Sequence, residues 1–115
     1  SDDFKVTDKK PEATKDIIIE DLKITVRKLT KEDINTRKLP NQTLGLVVTN
    51  IGNTSPLKES IEVNSIIVEA QKTRVKTAKD LEKIVKDVLK SNQKTILLAI
   101  YNTQNQRRYI GVKLD

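Results

Sequence analysis

The stretch EDLKITVRKLT (residues 20–30) carries the pattern that decides how this chain folds. Its apolar residues, Leu22, Ile24 and Val26, alternate with polar side chains. Such period-two alternation is typical of a β-strand that buries one face. The stretch holds no histidine, cysteine or glycine-rich loop, so it offers a backbone edge and not a catalytic group. It therefore predicts either one wall of a core or an edge with which another segment pairs.

The composition favours a small domain built mainly from strands. The chain has 115 residues, which is the size of one domain. Hydrophobic residues make up 36% and aromatic residues 3%, so the core has to be aliphatic. The Ile, Val and Leu residues lie in short runs between turn residues, a pattern that favours strands over a helical bundle. No apolar run approaches the roughly 20 residues of a membrane-spanning helix, so we expect no membrane insertion.

The absence of histidine and cysteine limits the chemistry of the chain. Without histidine, the common zinc sites and the Ser-His-Asp triad are excluded. Without cysteine, the chain has no disulfide, thiolate nucleophile or iron–sulfur cluster. The carboxylates are scattered among lysines, and no serine lies in a nucleophile elbow. We therefore expect no catalytic residues, no metal site and no cofactor in this chain.

The first half of the sequence predicts strands separated by short helices. One or two strands precede Thr30, which caps a short helix with Asp33 in an imperfect capping box. Residues 44–51 are largely apolar at both alternating sets of positions, which predicts a buried strand. Ser55 as N-cap and Pro56 at the first helical position then predict a second short helix.

The second half predicts two strands, a long helix and a hairpin. The strands cover SIIVEA and TRV, and the hairpin joins KTILLAIY to RRYIGVKL through a polar loop. Thr77 and Asp80 form a capping box at the start of the long helix. Its apolar stripe consists of Leu81, Ile84, Val85, Val88 and Leu89.

Three segments in this order resemble a known family. They are DLKITVRKLTKED (21–33), LGLVVTNIGNTSPLKESIEVNSII (44–67) and VEAQKTRVKTAKDLEKIV (68–85). Together they resemble a circularly permuted PDZ domain of the bacterial HtrA (Do) serine proteases, and most of all the second, C-terminal PDZ domain. Where that family has turn glycines or asparagine, this chain has Ser60, Asn64 and Gln71, so positive φ angles are expected there, and asparagine tolerates them best after glycine.

The resemblance implies a fold and a domain organisation. The fold is α+β and mainly β: a partly open barrel or sandwich of about six short strands, capped by one long helix and one or two short ones. Residues 1–16 are expected to be a linker or the end of a preceding domain. Residues 17–115 are expected to be the PDZ domain.

The resemblance also implies a peptide-binding groove between the opening strand and the long helix. In PDZ domains a peptide adds to the strand edge as an extra strand, and backbone N–H groups in the preceding loop hold its terminal carboxylate. The residues that match this groove are Asp21, Leu22, Lys23, Ile24, Thr25, Val26, Leu81, Ile84 and Val88. The alternative is that all of them are core residues and that the groove is vestigial.

Lys23 stands where the carboxylate loop of the family has glycine. A residue other than glycine resists the backbone geometry that gathers the N–H groups, although the ammonium group of lysine could pair with a carboxylate. We therefore predict that free C-terminal peptides bind weakly or not at all. The partner would then be another part of the same assembly.

Three further features have a functional and a structural interpretation. The lysines Lys79, Lys83, Lys86 and Lys90 share one helical face, and the net charge is +6, which permits anionic partners. We favour a solvated face balanced by acidic neighbours, because no aromatic residues are interleaved for base stacking. The Arg107-Arg108 pair could bind an acidic partner or could prevent edge aggregation. Gly45 is expected to allow a close backbone approach.

Taken together, the resemblance implies a non-catalytic peptide- and protein-interaction domain. The parent protein would be a periplasmic serine endopeptidase and chaperone that degrades misfolded envelope proteins and assembles from trimers. Its catalytic residues would precede Ser1, and this domain would serve assembly, regulation and possibly substrate binding. Its partners would be peptide segments and the PDZ or protease domains of neighbouring subunits, not nucleic acid. The alternatives are a PDZ domain of a processing protease or secretion component, and a small basic nucleic-acid-binding domain.

Overall fold

The computed structural model describes residues 15–92 and 94–114. The elements in chain order are β1 (Ile17–Ile19), β2 (Ile24–Lys28), α1 (Lys31–Arg37), β3 (Leu46–Ile51), β4 (Ile66–Ala70), β5 (Thr73–Arg74), α2 (Ala78–Lys90), β6 (Thr95–Tyr101) and β7 (Arg107–Lys113). Of the predicted linker, only Lys15 and Asp16 belong to the described part, so the domain boundaries stay a prediction.

The strands form one antiparallel sheet in the order β1-β2-β3-β4-β6-β7, and the short β5 pairs with β4. The described sheet ends at β1 on one side and at β7 on the other, so it is open and not closed into a barrel. One long helix and one short helix accompany it. The predicted fold class, a mainly β domain with PDZ-like architecture, is confirmed.

The central strands bury both of their faces. On β3, Leu46 and Val48 belong to the core cluster that contains the buried residues of α2, whereas Val47 belongs to a second cluster with Ile34 of α1. The same alternation continues on β4 and β6. Because side chains alternate across a strand, apolar residues at consecutive positions are needed to fill a core on each face.

The helices begin where the capping residues predicted. The Asp80 N–H donates to Thr77 Oγ1 at 3.1 Å, and Ala78, Leu81, Val85 and Val88 form the buried face of α2. The capping box of α1 is complete: the Asp33 N–H donates to Thr30 Oγ1, and the Thr30 N–H donates to Asp33 Oδ2 at 2.8 Å. Both boxes satisfy N–H groups that a helix start leaves without partners.

The predicted short helix after Ser55 is wrong. Ser55 does cap the segment, since the Leu57 N–H donates to Ser55 Oγ at 3.0 Å. The segment nevertheless forms successive turns, in which the N–H groups of Ser60 and Ile61 both donate to the Leu57 carbonyl. Leu57 and Ile61 are both buried. Leu57 and Ile61 lie four residues apart, on one face of a single α-helical turn. The next N–H, that of Glu62, donates to Ser65 Oγ at 3.3 Å, so the helix does not continue.

Gly45 and two turn residues have the predicted backbone roles. A Cβ atom on Gly45 would lie 2.7 Å from the Ile67 carbonyl oxygen, so only glycine permits this approach. Asn64 has φ 80° and Gln71 has φ 54°, the positive values expected at these turn positions. Ser60 does not have a positive φ, because the N–H groups of Ser60 and Ile61 close ordinary turns on the Leu57 carbonyl.

Candidate functional site

The structure brings the two predicted walls of the groove into one cluster. Leu22, Ile24 and Val26 are buried with Leu81 and Val88 of α2, and Ile84 packs partly buried against the same cluster. The remaining predicted site residues lie at its border: Lys23 is exposed, while Asp21 and Thr25 are half-buried. The apolar site residues therefore serve the core, and their function in peptide binding stays a prediction.

The edge of β2 that was expected to receive a partner is paired with β1. β1 runs antiparallel to β2, with Ile17 opposite Val26, Ile18 opposite Thr25 and Ile19 opposite Ile24. The other edge of β2 pairs with β3. β1 also contacts α2, as β2 does. An extended segment of the chain itself therefore lies along the predicted groove.

β1 is anchored by one residue. Ile19 is 1% exposed and belongs to the core cluster that also contains Leu81. Ile18 is 62% exposed and Ile17 is 40% exposed. A single fully buried side chain, at the end of β1 nearest the loop, therefore anchors β1 in the groove.

The loop between β1 and β2, at residues 20–23, closes on the chain itself. The Leu22 N–H donates to the Ile19 carbonyl at 3.1 Å, and the Lys23 N–H donates to the Glu20 carbonyl at 3.2 Å. The Leu22 carbonyl accepts from Ser55 Oγ at 2.6 Å. The resemblance predicts that N–H groups of this loop hold a peptide carboxylate. In the structure, the N–H groups of Leu22 and Lys23 donate instead to carbonyl oxygens of the chain itself.

Lys23, which stands where the resembled family has glycine, adopts a left-handed backbone conformation. Its φ is 55°, in the left-handed region, and its carbonyl accepts from the Gly52 N–H at 2.8 Å. Left-handed backbone costs a residue with a Cβ atom about 1–2 kcal/mol. The lysine therefore strains the loop without preventing its geometry. The pairing of β2 with β1 is a second reason for the predicted weakness of peptide binding.

Sequence reasoning missed an ion pair at the other end of β2. Arg27 binds both carboxylate oxygens of Asp33, at 2.7 and 2.9 Å. These hydrogen bonds, together with those from Thr30, lower the pKa of Asp33 from 3.8 to about 2. The pair fixes the start of α1 against the end of β2. The six-residue spacing is not a standard side-chain pairing distance, so this pair could not be predicted from the sequence.

The charged surfaces are mixed in sign. The basic face of α2 is interleaved with Glu82 and Asp87, and Lys86 lies 3.4 Å from Asp21 in an exposed ion pair. Exposed pairs of this kind contribute little to stability. On β7, Arg107 pairs with Glu69 at 3.1 Å and its guanidinium lies 5.5 Å from the ring centre of Tyr109.

The described residues offer neither a metal-ligand cluster nor a membrane-spanning helix. Residues 15–92 and 94–114 contain no group of three or more metal-ligating side chains close enough to hold a metal ion. Within that same part of the chain, neither helix is long and apolar enough to cross a membrane.

No protein-family model matches the sequence, and no curated protein matches it. Among solved structures, the chain is similar to the HtrA-type protease AlgW with decapeptide, at a TM-score of 0.61 and 16% identity over 80% of this chain. A variant of AlgW with decapeptide gives a TM-score of 0.63 and 18% identity over 82% of this chain. The chain spans 27% and 28% of the length of those two chains. The chain thus shares its fold with a part of an HtrA-type protease, the family that its sequence resembles.

Proposed function

We propose that this chain is a non-catalytic PDZ-type interaction domain of an HtrA-type serine endopeptidase. The domain accepts an extended polypeptide segment beside β2, by β-augmentation. Leu22, Ile24 and Val26 support that segment from the strand, and α2 supports it with Leu81, Ile84 and Val88. The fold shared with a part of AlgW, and the decapeptide present with that protease, support the proposal.

The observation that carries the proposal is the docking of β1. An extended segment lies antiparallel along the edge of β2, contacts α2 and buries an isoleucine at its loop end. β-Augmentation uses the same kinds of contact: backbone hydrogen bonds along a strand edge and pockets for alternate side chains. The groove therefore has the dimensions and polarity for an extended aliphatic segment.

The proposal extends to the parent protein. It would be a periplasmic protease and chaperone of envelope quality control, built from trimers, with its catalytic serine, histidine and aspartate in residues that precede this domain. The domain would contribute to oligomer assembly and regulation by binding segments of neighbouring subunits. The basic nucleic-acid-binding alternative receives no support from the mixed-sign surface of α2.

The test is the coding sequence upstream of residue 1, combined with an activity assay. We expect it to encode a trypsin-like domain followed by another PDZ domain, and we expect the isolated chain to leave an unfolded substrate protein intact. An upstream sequence of a different enzyme or of a secretion component would contradict the protease assignment. Cleavage traceable to this chain would contradict its non-catalytic role.

A further inference from the structure

We infer that β1 is an internal competitor for the groove, so that the domain binds a foreign segment only when β1 is released from β2. This inference rests on the proposed function, because it concerns the same groove. It adds a regulatory step: the affinity of the domain for a partner depends on the fraction of molecules in which β1 is undocked.

The docked β1 satisfies each element of the groove. Its register places Ile17 opposite Val26 and Ile19 opposite Ile24, so it takes up the edge of β2 on which a foreign strand would add. The Leu22 N–H, which lies in the loop expected to receive a carboxylate, donates to the Ile19 carbonyl. A foreign segment and β1 would need the same backbone groups and the same pocket. The two therefore exclude each other.

β1 is built in a way that permits release. It is only three residues long, and Ile17 and Ile18 keep 40% and 62% of their surface exposed. It is the last strand of the described sheet on its side, so its outer edge has no strand beside it. Short edge segments with few buried contacts open at lower free energy than central strands.

The contacts of β1 also define the chemistry of the competing segment. The position equivalent to Ile19 requires an aliphatic side chain, because that site is fully enclosed by apolar residues. The position equivalent to Ile18 tolerates a polar side chain, since it points to solvent. Beside Ile17, a cleft of about 180 Å³ reaches Thr77 and Ala78 at the start of α2, which leaves room for a larger side chain there. The partner is thus an extended aliphatic segment of another polypeptide.

A reversible covalent lock on β1 tests the inference. Ile18 and Thr25 face each other across the two strands, so the double variant Ile18→Cys/Thr25→Cys places two thiols at cross-strand distance. The natural chain has no cysteine, so this is the only disulfide that can form within one molecule, and the monomer fraction is separated from disulfide-linked dimers before the measurement. The probe is a fluorescent peptide with the sequence of residues 13–19, ATKDIII, in acid and amide forms, and binding is read by fluorescence polarisation. The control probe carries aspartate as its last residue.

The inference predicts that the oxidised double variant binds the probe at least about tenfold more weakly than the same variant after reduction. Ile18→Cys alone, treated with the same oxidant, should bind as the reduced protein does. Ile19→Ala removes most of the anchor of β1 and should bind at least about tenfold more tightly than the natural chain. If Ile19→Ala does not fold, the oxidised and reduced forms of the double variant still give the comparison.

Three results would overturn the inference, and they differ in what they leave of the proposed function. Equal probe affinity in the oxidised, reduced and natural forms would mean that binding does not require release of β1, while the proposed binding function would remain. No binding by any folded form, Ile19→Ala included, would overturn the inference together with the peptide-binding part of the proposed function. Retained affinity for the aspartate-ended probe would show that the Ile19 pocket is not used and would also overturn it.

Discussion

The two edges of the sheet, β1 and β7, differ in length and in the chemistry of their exposed side chains. β1 at one edge has three residues, all isoleucine, and contacts α2. β7 at the other edge has seven residues and exposes Arg107, Arg108 and Lys113. Charged side chains on an edge strand discourage pairing with other chains, and so does a short edge. Charged side chains thus protect the β7 edge. At the other edge, the short strand β1 covers β2 and, by the inference above, can undock from it.

The largest difference between the edges should appear on removal of buried side chains. Ile19→Ala in β1 should lower the free energy of unfolding by about 2–5 kcal/mol, because a fully buried aliphatic group is lost and a cavity remains. Tyr109→Ala in β7 should cost less than about 1 kcal/mol, since that side chain is 61% exposed. Urea unfolding followed by circular dichroism measures both. Equal costs would mean that β1 is not anchored as described.

The ion pairs beside the two edges provide the next comparison. Asp33→Asn should cost about 1–2 kcal/mol at pH 7, because Asp33 binds Arg27 through both oxygens and also completes the capping box of α1. Glu69→Gln, which breaks the more exposed pair with Arg107, should cost less than about 1 kcal/mol. The same unfolding experiment serves for both. A larger loss of unfolding free energy for Glu69→Gln than for Asp33→Asn would contradict the larger contribution expected of the Arg27–Asp33 pair.

Acid should remove the contribution of the Arg27–Asp33 pair to the free energy of unfolding. The folded-state pKa of Asp33, about 2, lies below its ordinary value of 3.8, so its contribution to stability is present above pH 4 and is lost as the pH falls toward 2. The difference in unfolding free energy between the natural chain and Asp33→Asn should therefore shrink between pH 4 and pH 2. A difference that is constant over this range would contradict the lowered pKa.

The hairpin loops of the two edges should respond to glycine with opposite sign, and these effects are the smallest. Lys23→Gly should stabilise by about 0.5 kcal/mol, because glycine relieves the left-handed strain and Lys23 is exposed. Asn105→Gly should destabilise by about 1 kcal/mol. Asn105 also has positive φ, but its side chain makes two hydrogen bonds with Arg37. Thermal unfolding of the two variants measures both stability changes, and changes of the same sign would contradict these roles of Lys23 and Asn105.

The local features of the fold could be predicted because each depends on neighbours in sequence. The start of α2 depends on Thr77 and Asp80, and its buried face depends on the helical repeat. The segment after Ser55 carried a correct capping signal, but it did not show that the Glu62 N–H donates to Ser65 Oγ. This side-chain hydrogen bond takes the place of the next helical one, so the helix does not continue.

The occupant of the groove could not be predicted from the alternation of β2. Period-two alternation tells which face of a strand is buried, but both edges of that strand look the same in sequence. The signal that was present is the run of three isoleucines before the four-residue turn at residues 20–23, a spacing that is compatible with a hairpin. The Arg27–Asp33 pair similarly required the structure, because it joins the end of a strand to the first turn of a helix.

The pairing of β1 with β2 also limits how far the domain can extend from the residues that precede residue 15. While β1 is docked, the first firmly held residue next to that attachment is Ile17, at the far end of β1 from the loop. Release of β1 and the first two loop residues, 17–21, would free five residues, which at about 3.3 Å each span up to about 17 Å when extended. Occupation of the groove by a foreign segment would therefore lengthen the reach of the domain, and binding and spacing would change together.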